Sequence, residues 1–260
     1  ASLFLKRGEP SYEDRLKRVV EEYIGGSAEL EDRMADINEA FNKNGLEFMD
    51  LTALLNYLSS NGYHVYNTFV SKYKQKYREL AVRIIEKYFP DGINLTQLND
   101  VVSPDMERLK NLVKSEYNYT IDLPNRVFYV RLTDEDDLML VDRSKFIASS
   151  LFHIDPEVLS HIEEAIISSP NNQIYYRTLY DELADYLSTT NINNHYILHG
   201  VIQHYLPRLC TTLRDYLVKD RDSFVVIPTK TKIEELIRAK NSAMSIDEIK
   251  EHFPGFTDVM

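Results

Sequence analysis

The fold that we predict from this sequence depends mainly on two similar stretches: LVDRSKFI at residues 140–147 and VKDRDSFV at residues 218–225. In each stretch an Asp-Arg pair and two polar residues are followed by Phe and a β-branched residue, and the two copies begin 78 positions apart. Strand-forming residues on both sides of a polar turn are typical of a two-stranded hairpin. A hairpin that recurs at this distance predicts a duplicated small domain.

The segment before the first hairpin predicts a helix, a short strand and two further helices. Apolar residues recur at helical spacing from Leu80, and the turn sequence FPDG at residues 89–92 ends that helix. Ile93 begins the expected strand. Ser103 precedes a proline and is placed to cap the second helix, and Pro124 opens the third.

The segment before the second hairpin repeats this succession. A helix starts at Asp155 and its following proline, Tyr175 lies in the expected short strand, and Leu179 begins the apolar stripe of a second helix. Asn194 is placed to cap a third helix. The hairpin from about residue 213 to 227 is expected to close the unit.

Helix, short strand, helix, helix and two-stranded hairpin resembles the winged-helix branch of the helix-turn-helix class, over roughly residues 78–228. The resemblance is one of pattern, and no motif in the chain identifies a particular family within the class. It implies a mainly α fold with small β-hairpins (wings), arranged as tandem winged-helix-like modules.

The rest of the chain extends this organisation. Asp50 caps a helix and an Asn-Gly turn follows it at residue 61, so a second helix is expected from near His64 into the basic segment beyond. Ser245 is placed to cap the second of two helices near the end, which we interpret as half a domain within a fragment of a longer protein, or as a docked tail. The predicted divisions are an N-terminal helix or arm (1–27), a helix-turn-helix-like unit (28–77), two winged-helix units (78–150 and 151–228) and a truncated unit (229–260).

Composition narrows the classes of function. The net charge of -11 argues against a general nucleic-acid coat protein, because the field of the whole molecule repels phosphate. The sequence contains no run of about 18 apolar residues, so it predicts no membrane-spanning helix. The single cysteine, Cys210, excludes an internal disulfide framework and a cysteine-based zinc site, and it fits a reducing, cytoplasmic setting in which it is a small packed residue.

No arrangement of residues predicts an enzyme, a cofactor or a metal site. His195 and His199 have the spacing of two residues on one helical face, but a zinc site needs three or four ligands and the metalloprotease glutamate is missing. We therefore expect both imidazoles to line the solvent face of their helix.

One segment has a clear basic surplus. Residues 61–90 carry six basic and two acidic side chains. Within it, KYKQKYR at residues 72–78 alternates basic and aromatic groups where a recognition helix is expected; the alternative interpretation is a solvated helix that joins two domains. The candidate nucleic-acid contacts in this segment are Lys72, Lys74, Gln75, Lys76 and Arg78.

The third helix and hairpin of the first winged-helix unit supply a second group of candidates. Asparagine and arginine side chains suit adenine and guanine edges in a major groove, and basic groups at a wing suit the phosphate backbone. An acidic run at residues 134–137 directly follows that helix and opposes DNA binding. The candidates are Asn125, Arg126, Tyr129 and Arg131 on the helix, and Arg143 and Lys145 at the hairpin.

The favoured hypothesis is a non-enzymatic DNA-binding or regulatory module of a larger protein that binds double-stranded DNA. Recognition helices would enter the major groove and wings would contact the backbone. The alternative is a protein–protein interaction scaffold of the same architecture, whose acidic faces bind a basic partner or another subunit. A third class is the non-catalytic part of a nucleic-acid enzyme.

Overall fold

The computed structural model describes residues 10–95, 97–98, 101–134, 137–222 and 229–253. Its described part is mainly helical, with small antiparallel sheets, as the sequence predicts. Three segments, here called repeat 1 (residues 12–71), repeat 2 (77–148) and repeat 3 (156–218), follow the same order of elements.

Repeat 1 contains three helices and a three-stranded sheet. Its elements are α1 (Tyr12–Tyr23), β1 (Ser27–Glu29), α2 (Met34–Lys43), α3 (Leu51–Ser60), β2 (His64–Tyr66) and β3 (Phe69–Ser71). The hairpin β2–β3 pairs through β3 with β1, and all the pairs are antiparallel.

Repeat 2 has the same layout with one small addition. Its elements are α4 (Tyr77–Tyr88), β4 (Ile93–Asn94), a two-stranded ribbon of β5 (Gln97–Leu98) and β6 (Val101–Val102), α5 (Pro104–Tyr117), α6 (Asn125–Thr133), β7 (Leu138–Asp142) and β8 (Lys145–Ala148). Its sheet again places the last strand, β8, between the first strand and the other hairpin strand.

Repeat 3 ends the series, and two further helices follow it. Its elements are α7 (Pro156–Ser168), β9 (Gln173–Tyr175), α8 (Tyr176–Glu182), α9 (Ala184–Leu187), α10 (His195–Tyr205), β10 (Thr211–Thr212) and β11 (Tyr216–Val218). The sheet order is β9-β11-β10, which matches the other two repeats. The helices α11 (Thr229–Lys240) and α12 (Ile246–His252) come next.

The helices begin where the capping residues predict. Asp50 accepts a hydrogen bond from the Ala53 amide at 2.7 Å, and Asn194 accepts from two amides at the start of α10. Ser245 and Glu248 form a reciprocal capping box. Each side chain satisfies backbone N–H groups that the first helical turn leaves without carbonyl partners, so these helix starts are fixed locally.

Packing separates the chain into two compact units, which are described one at a time. Unit 1 comprises the described residues within Ala1–Lys87 and Gln97–Leu132, and unit 2 those within Tyr88–Thr96 and Thr133–Met260. Repeat 2 is therefore divided: its helices belong mainly to unit 1 and its sheet to unit 2. The predicted module boundaries stay a prediction.

The expectation of a second helix from His64 into the basic segment is wrong. Residues 64–71 form the hairpin β2–β3 instead, and Asn67 makes its turn with a positive φ of 55°. Phe69 and Val70 are fully buried. Asparagine tolerates the left-handed conformation, and the strand formers on both sides favour an extended backbone.

The first helix, α1, lies within the segment predicted as an N-terminal helix or arm (1–27), and it packs with repeat 1. Leu16 and Val19 of α1 are buried in one cluster with Ile37 of α2 and Leu54 of α3. The apolar stripe of α1 thus completes the core of repeat 1, because a short amphipathic helix is stable only when its apolar face is covered.

The hairpin of repeat 3 lies earlier in the chain than expected. Thr211 and Thr212 pair with Val218 and Leu217, so residues 213–215 form the turn. The Asp-Arg pair at 220–221 follows this hairpin, whereas the corresponding pair at 142–143 lies at the β7–β8 turn. Residues 223–228, the second half of the expected hairpin, lie outside the described residues.

Candidate interaction surfaces

The basic stretch in residues 72–76 lies in a loop between β3 and α4 rather than on a recognition helix. Lys72 donates its backbone amide to the Gly26 carbonyl at 2.8 Å, and its ammonium lies 3.7 Å from a carboxylate oxygen of Glu21. Part of its charge is therefore compensated within unit 1. Lys74 and Lys76 are exposed, and neither forms an ion pair within the described residues.

Gln75 stabilises this loop and is not free to contact bases. Its side-chain amide donates to the Ser71 hydroxyl at 3.1 Å, and its backbone amide donates to the Tyr66 hydroxyl at 2.7 Å. Glu79 accepts from the Lys76 amide at 2.5 Å. Arg78 is half-buried in the first turn of α4. Two of the five candidates here, Lys74 and Lys76, thus remain as exposed cations without an ion pair among the described residues.

Asn125 at the start of α6 is likewise occupied by neighbours in unit 1. Its amide nitrogen donates to Glu107 at 3.0 Å, and its amide oxygen accepts from the Lys110 ammonium at 2.5 Å. Lys110 also donates to the Leu123 carbonyl at 2.8 Å. This network fixes the loop before α6, so Asn125 has a structural role here.

The outer face of α6 consists of two arginines and two valines. Arg126, Val127, Val130 and Arg131 are exposed, and their positions fall within about 140° of the helix circumference. Val127 and Val130 keep 37% and 42% of their surface exposed, whereas Phe128 is fully buried. Tyr129 is half-buried. The tertiary structure therefore leaves Val127 exposed while it buries the neighbouring Phe128.

The last two nucleic-acid candidates lie at the β7–β8 turn in unit 2. Arg143 is exposed, and Ser144 has a positive φ of 57°. The aliphatic part of Lys145 lies across Gly92, where an added Cβ would be 2.8 Å from its Cε atom. Unit 2 thus holds Arg143 and Lys145, and unit 1 holds the other nine candidates.

The helix α10 is covered by the hairpin of the preceding repeat, within unit 2. A Cβ added to Gly200 would lie 2.9 Å from Cγ of Met139 and closer still to the Leu140 carbonyl oxygen. The Asn194 side-chain amide donates to the Val141 carbonyl at 3.1 Å. Of the residues of α10, Gln203 alone is exposed. The backbones of α10 and β7 approach so closely because glycine has no side chain.

The expectation that His195 and His199 line the solvent face of α10 is wrong for His199, whereas His195 is half-buried. His199 is mostly buried and stacks on Tyr176, with ring centroids 4.1 Å apart and an angle of 13° between the rings. Desolvation lowers the pKa of His199 to about 4 and also lowers the pKa of the half-buried His195. No group of three metal-ligating side chains occurs among the described residues.

Cys210 is buried, as the sequence predicts for a small packed residue. Burial raises the pKa of its thiol to about 11. The thiolate is the reactive form of cysteine, so this residue is a component of the core of unit 2 rather than a nucleophile.

The outer face of α3, in unit 1, carries no charge. Its exposed residues are small or uncharged: Thr52, Ala53, Asn56, Ser59 and Ser60. Of the three third helices in the repeats, α6 alone has exposed lysine or arginine side chains.

Comparisons with known proteins assign no function to the chain, so a functional proposal depends on the surfaces described above. No protein-family model matches the chain, and no curated protein matches it. Within the described residues, no helix is long and apolar enough to cross a membrane.

Proposed function

We propose that this chain is a protein–protein interaction scaffold built from three winged-helix modules, repeats 1, 2 and 3. The order helix, strand, helix, helix and hairpin supports the class, as does the pairing of the last hairpin strand with the first strand in each sheet. Catalysis has no part in this proposal. The scaffold proposal differs from the DNA-binding hypothesis in the role of the third helices, which contact protein rather than a DNA groove.

The observation that carries the proposal is the covering of α10 by β7. A recognition helix must present several polar side chains to fit and read a major groove. In α10 one polar side chain, Gln203, is exposed, the histidines and tyrosines are partly buried, and Gly200 packs against the hairpin of repeat 2. A third helix and a wing are therefore used for contact between modules, which is a protein-docking role.

The charges support the same conclusion. The chain carries a net charge of -11, and the outer faces of α3 and α10 contain no lysine or arginine. Electrostatic attraction to phosphates supplies most of the affinity of proteins for non-specific DNA. Two of the three third helices therefore lack the groups that such binding needs.

A fluorescence-anisotropy titration with random duplex DNA tests the proposal. We expect no binding at about 50 mM salt with tens of micromolar protein, because salt-sensitive phosphate contacts are strongest at low salt. Binding that weakens steeply between about 50 and 200 mM salt would overturn the scaffold in favour of DNA binding.

DNA contact through α6 is the second candidate function, and one observation favours it. Arg126 and Arg131 are exposed on the same face, and no carboxylate pairs with either among the described residues. Should DNA bind, Arg126→Ala with Arg131→Ala should weaken it by about tenfold or more, and reversal at Lys72, Lys74 and Lys76 should abolish it. Under the scaffold proposal these reversals leave protein partners bound.

A further inference from the structure

The face of α6 has two features of a protein-docking surface. Its valines are exposed side by side and its arginines flank them. Exposed aliphatic side chains are ordinary when single, but an apolar centre with a charged rim is typical of interfaces. Neither arginine has a hydrogen-bond or ion-pair partner within the described residues, so both are available to a partner's carboxylates.

A surface of opposite charge lies on α7, in unit 2. Ile167 is 59% exposed, the largest exposed fraction of any aliphatic side chain in the described part of the chain. Glu157 and Glu164 are exposed on the same side of the helix, and the three positions fall within about 80° of its circumference. Neither glutamate has an ion-pair partner among the described residues.

We propose that α6 of one copy of this chain docks on α7 of a second copy. The valines would contact Ile167, and the arginines would pair with Glu157 and Glu164. Charge complementarity selects this occupant: an arginine-rimmed apolar face and a glutamate-rimmed apolar face occur on one chain, and neither the two arginines nor the two glutamates form an ion pair among the described residues. The inference rests on the proposed scaffold function and names its partner as another copy of the chain.

The two docking faces differ, so the contact is heterologous. A copy whose α6 is bound to the α7 of a neighbour can still bind a further copy through its own α7. Association therefore adds copies one after another unless a ring closes. Each face is a single helix, smaller than a standard stable interface, so we expect weak association. Screening by salt should weaken it further, because exposed ion pairs contribute to it.

Charge reversal on each face gives a sharp test by sedimentation velocity. The first variant carries Arg126→Glu and Arg131→Glu, so both of its faces are acidic. The second carries Glu157→Arg and Glu164→Arg, so both of its faces are basic. The wild-type protein should associate as its concentration rises to hundreds of micromolar, and each variant alone should remain monomeric.

An equimolar mixture of the two variants should associate again. In the mixture, the reversed α6 of the first variant meets the reversed α7 of the second, and the unchanged faces also match. A control variant with Lys74→Glu and Lys76→Glu has the same change in charge as the first variant and should associate like the wild-type protein. Far-UV circular dichroism and the urea midpoint establish that every variant is folded.

Two outcomes would overturn the inference: a wild-type protein that stays monomeric at every concentration, or a mixture of folded variants that does not associate. Either failure leaves the scaffold proposal standing with a different partner. DNA binding in the anisotropy titration removes the scaffold proposal itself, and the two failures are therefore distinguishable.

Discussion

The helices α6 and α10 occupy the same position in consecutive repeats, but their outer faces differ in how much of them is exposed to solvent. α6 presents two arginines and two valines to solvent, whereas α10 exposes Gln203 alone and packs Gly200 against β7. The sequence predicts both as third helices of winged-helix units, and it places candidate DNA contacts on α6 but none on α10. The comparison shows that a helix in the recognition-helix position becomes a structural element when a neighbouring hairpin covers it.

The largest expected effect comes from the buried histidine of α10. The pKa of His199 is lowered to about 4, while an unfolded histidine titrates near 6.5. Between about pH 4 and 6.5, His199 is therefore protonated in the unfolded chain and neutral in the folded chain. The free energy of unfolding should fall by roughly 3 kcal/mol as the pH drops from about 6.5 to about 4.

Urea titrations across that pH range check this expectation, with His199→Phe as the matched control. Phenylalanine keeps a ring against Tyr176 and removes the titrating group, so the variant should lose this part of the pH dependence. Equal pH dependence in the two proteins would show that His199 is solvated in solution.

Substitution at the contact between α10 and β7 should have the next largest effect. Gly200→Ala places a methyl group against the Leu140 carbonyl, and we expect the free energy of unfolding to fall by about 2 kcal/mol. The loss should exceed the gain of about 1 kcal/mol that alanine brings to a helix. Urea denaturation followed by circular dichroism measures the difference.

Gly26→Ala is the control for that substitution. Nothing lies within 4 Å of a Cβ added to Gly26, so its effect on unfolding should stay within about 0.5 kcal/mol. If Gly200→Ala is as harmless as Gly26→Ala, the hairpin does not cover α10 in solution, and α10 becomes available to a groove.

The cap of α10 should contribute less. Asn194 accepts from the amides of Tyr196 and Ile197 and donates to the Val141 carbonyl. Asn194→Ala removes these bonds and should lower the free energy of unfolding by about 1 kcal/mol. Asn194→Ser retains a capping oxygen and should recover part of the loss in the same urea titration.

The outer face of α6 should be the least sensitive region for folding. Val127→Ser with Val130→Ser removes exposed apolar groups, so the free energy of unfolding should change by about 0.5 kcal/mol or less. A loss above about 2 kcal/mol in thermal or urea unfolding would mean that this face is covered within the chain, and the contrast with α10 would disappear.

Local patterns predicted much of the secondary structure. Asp50, Ser103, Asp155, Asn194 and Ser245 cap helices where expected, because a capping bond involves residues two or three positions apart. The strand signals were weaker. The hairpin at 64–71 was missed because each of its strands has only three residues, too few for alternation to stand out.

The candidate site was predicted in part. Arg126 and Arg131 are exposed as a contact surface requires. Asn125 instead bonds to Glu107, 18 positions earlier in the chain, and Gln75 bonds to Ser71, four positions earlier. The exposure of Val127 could not be predicted, since α6 carries apolar residues on both faces and its sequence does not say which face meets the core.

The sequence by itself determined the starts of the capped helices, the buried cysteine, and the excess of acidic over basic residues, because each depends on neighbouring residues or on composition. The tertiary structure alone decided that β7 lies on α10 and that α6 remains open. Those outcomes depend on which surfaces meet across some sixty positions of the chain, from Leu140 to Gly200. No local pattern encodes such a meeting, because its free energy comes from area that is buried only after both elements have formed.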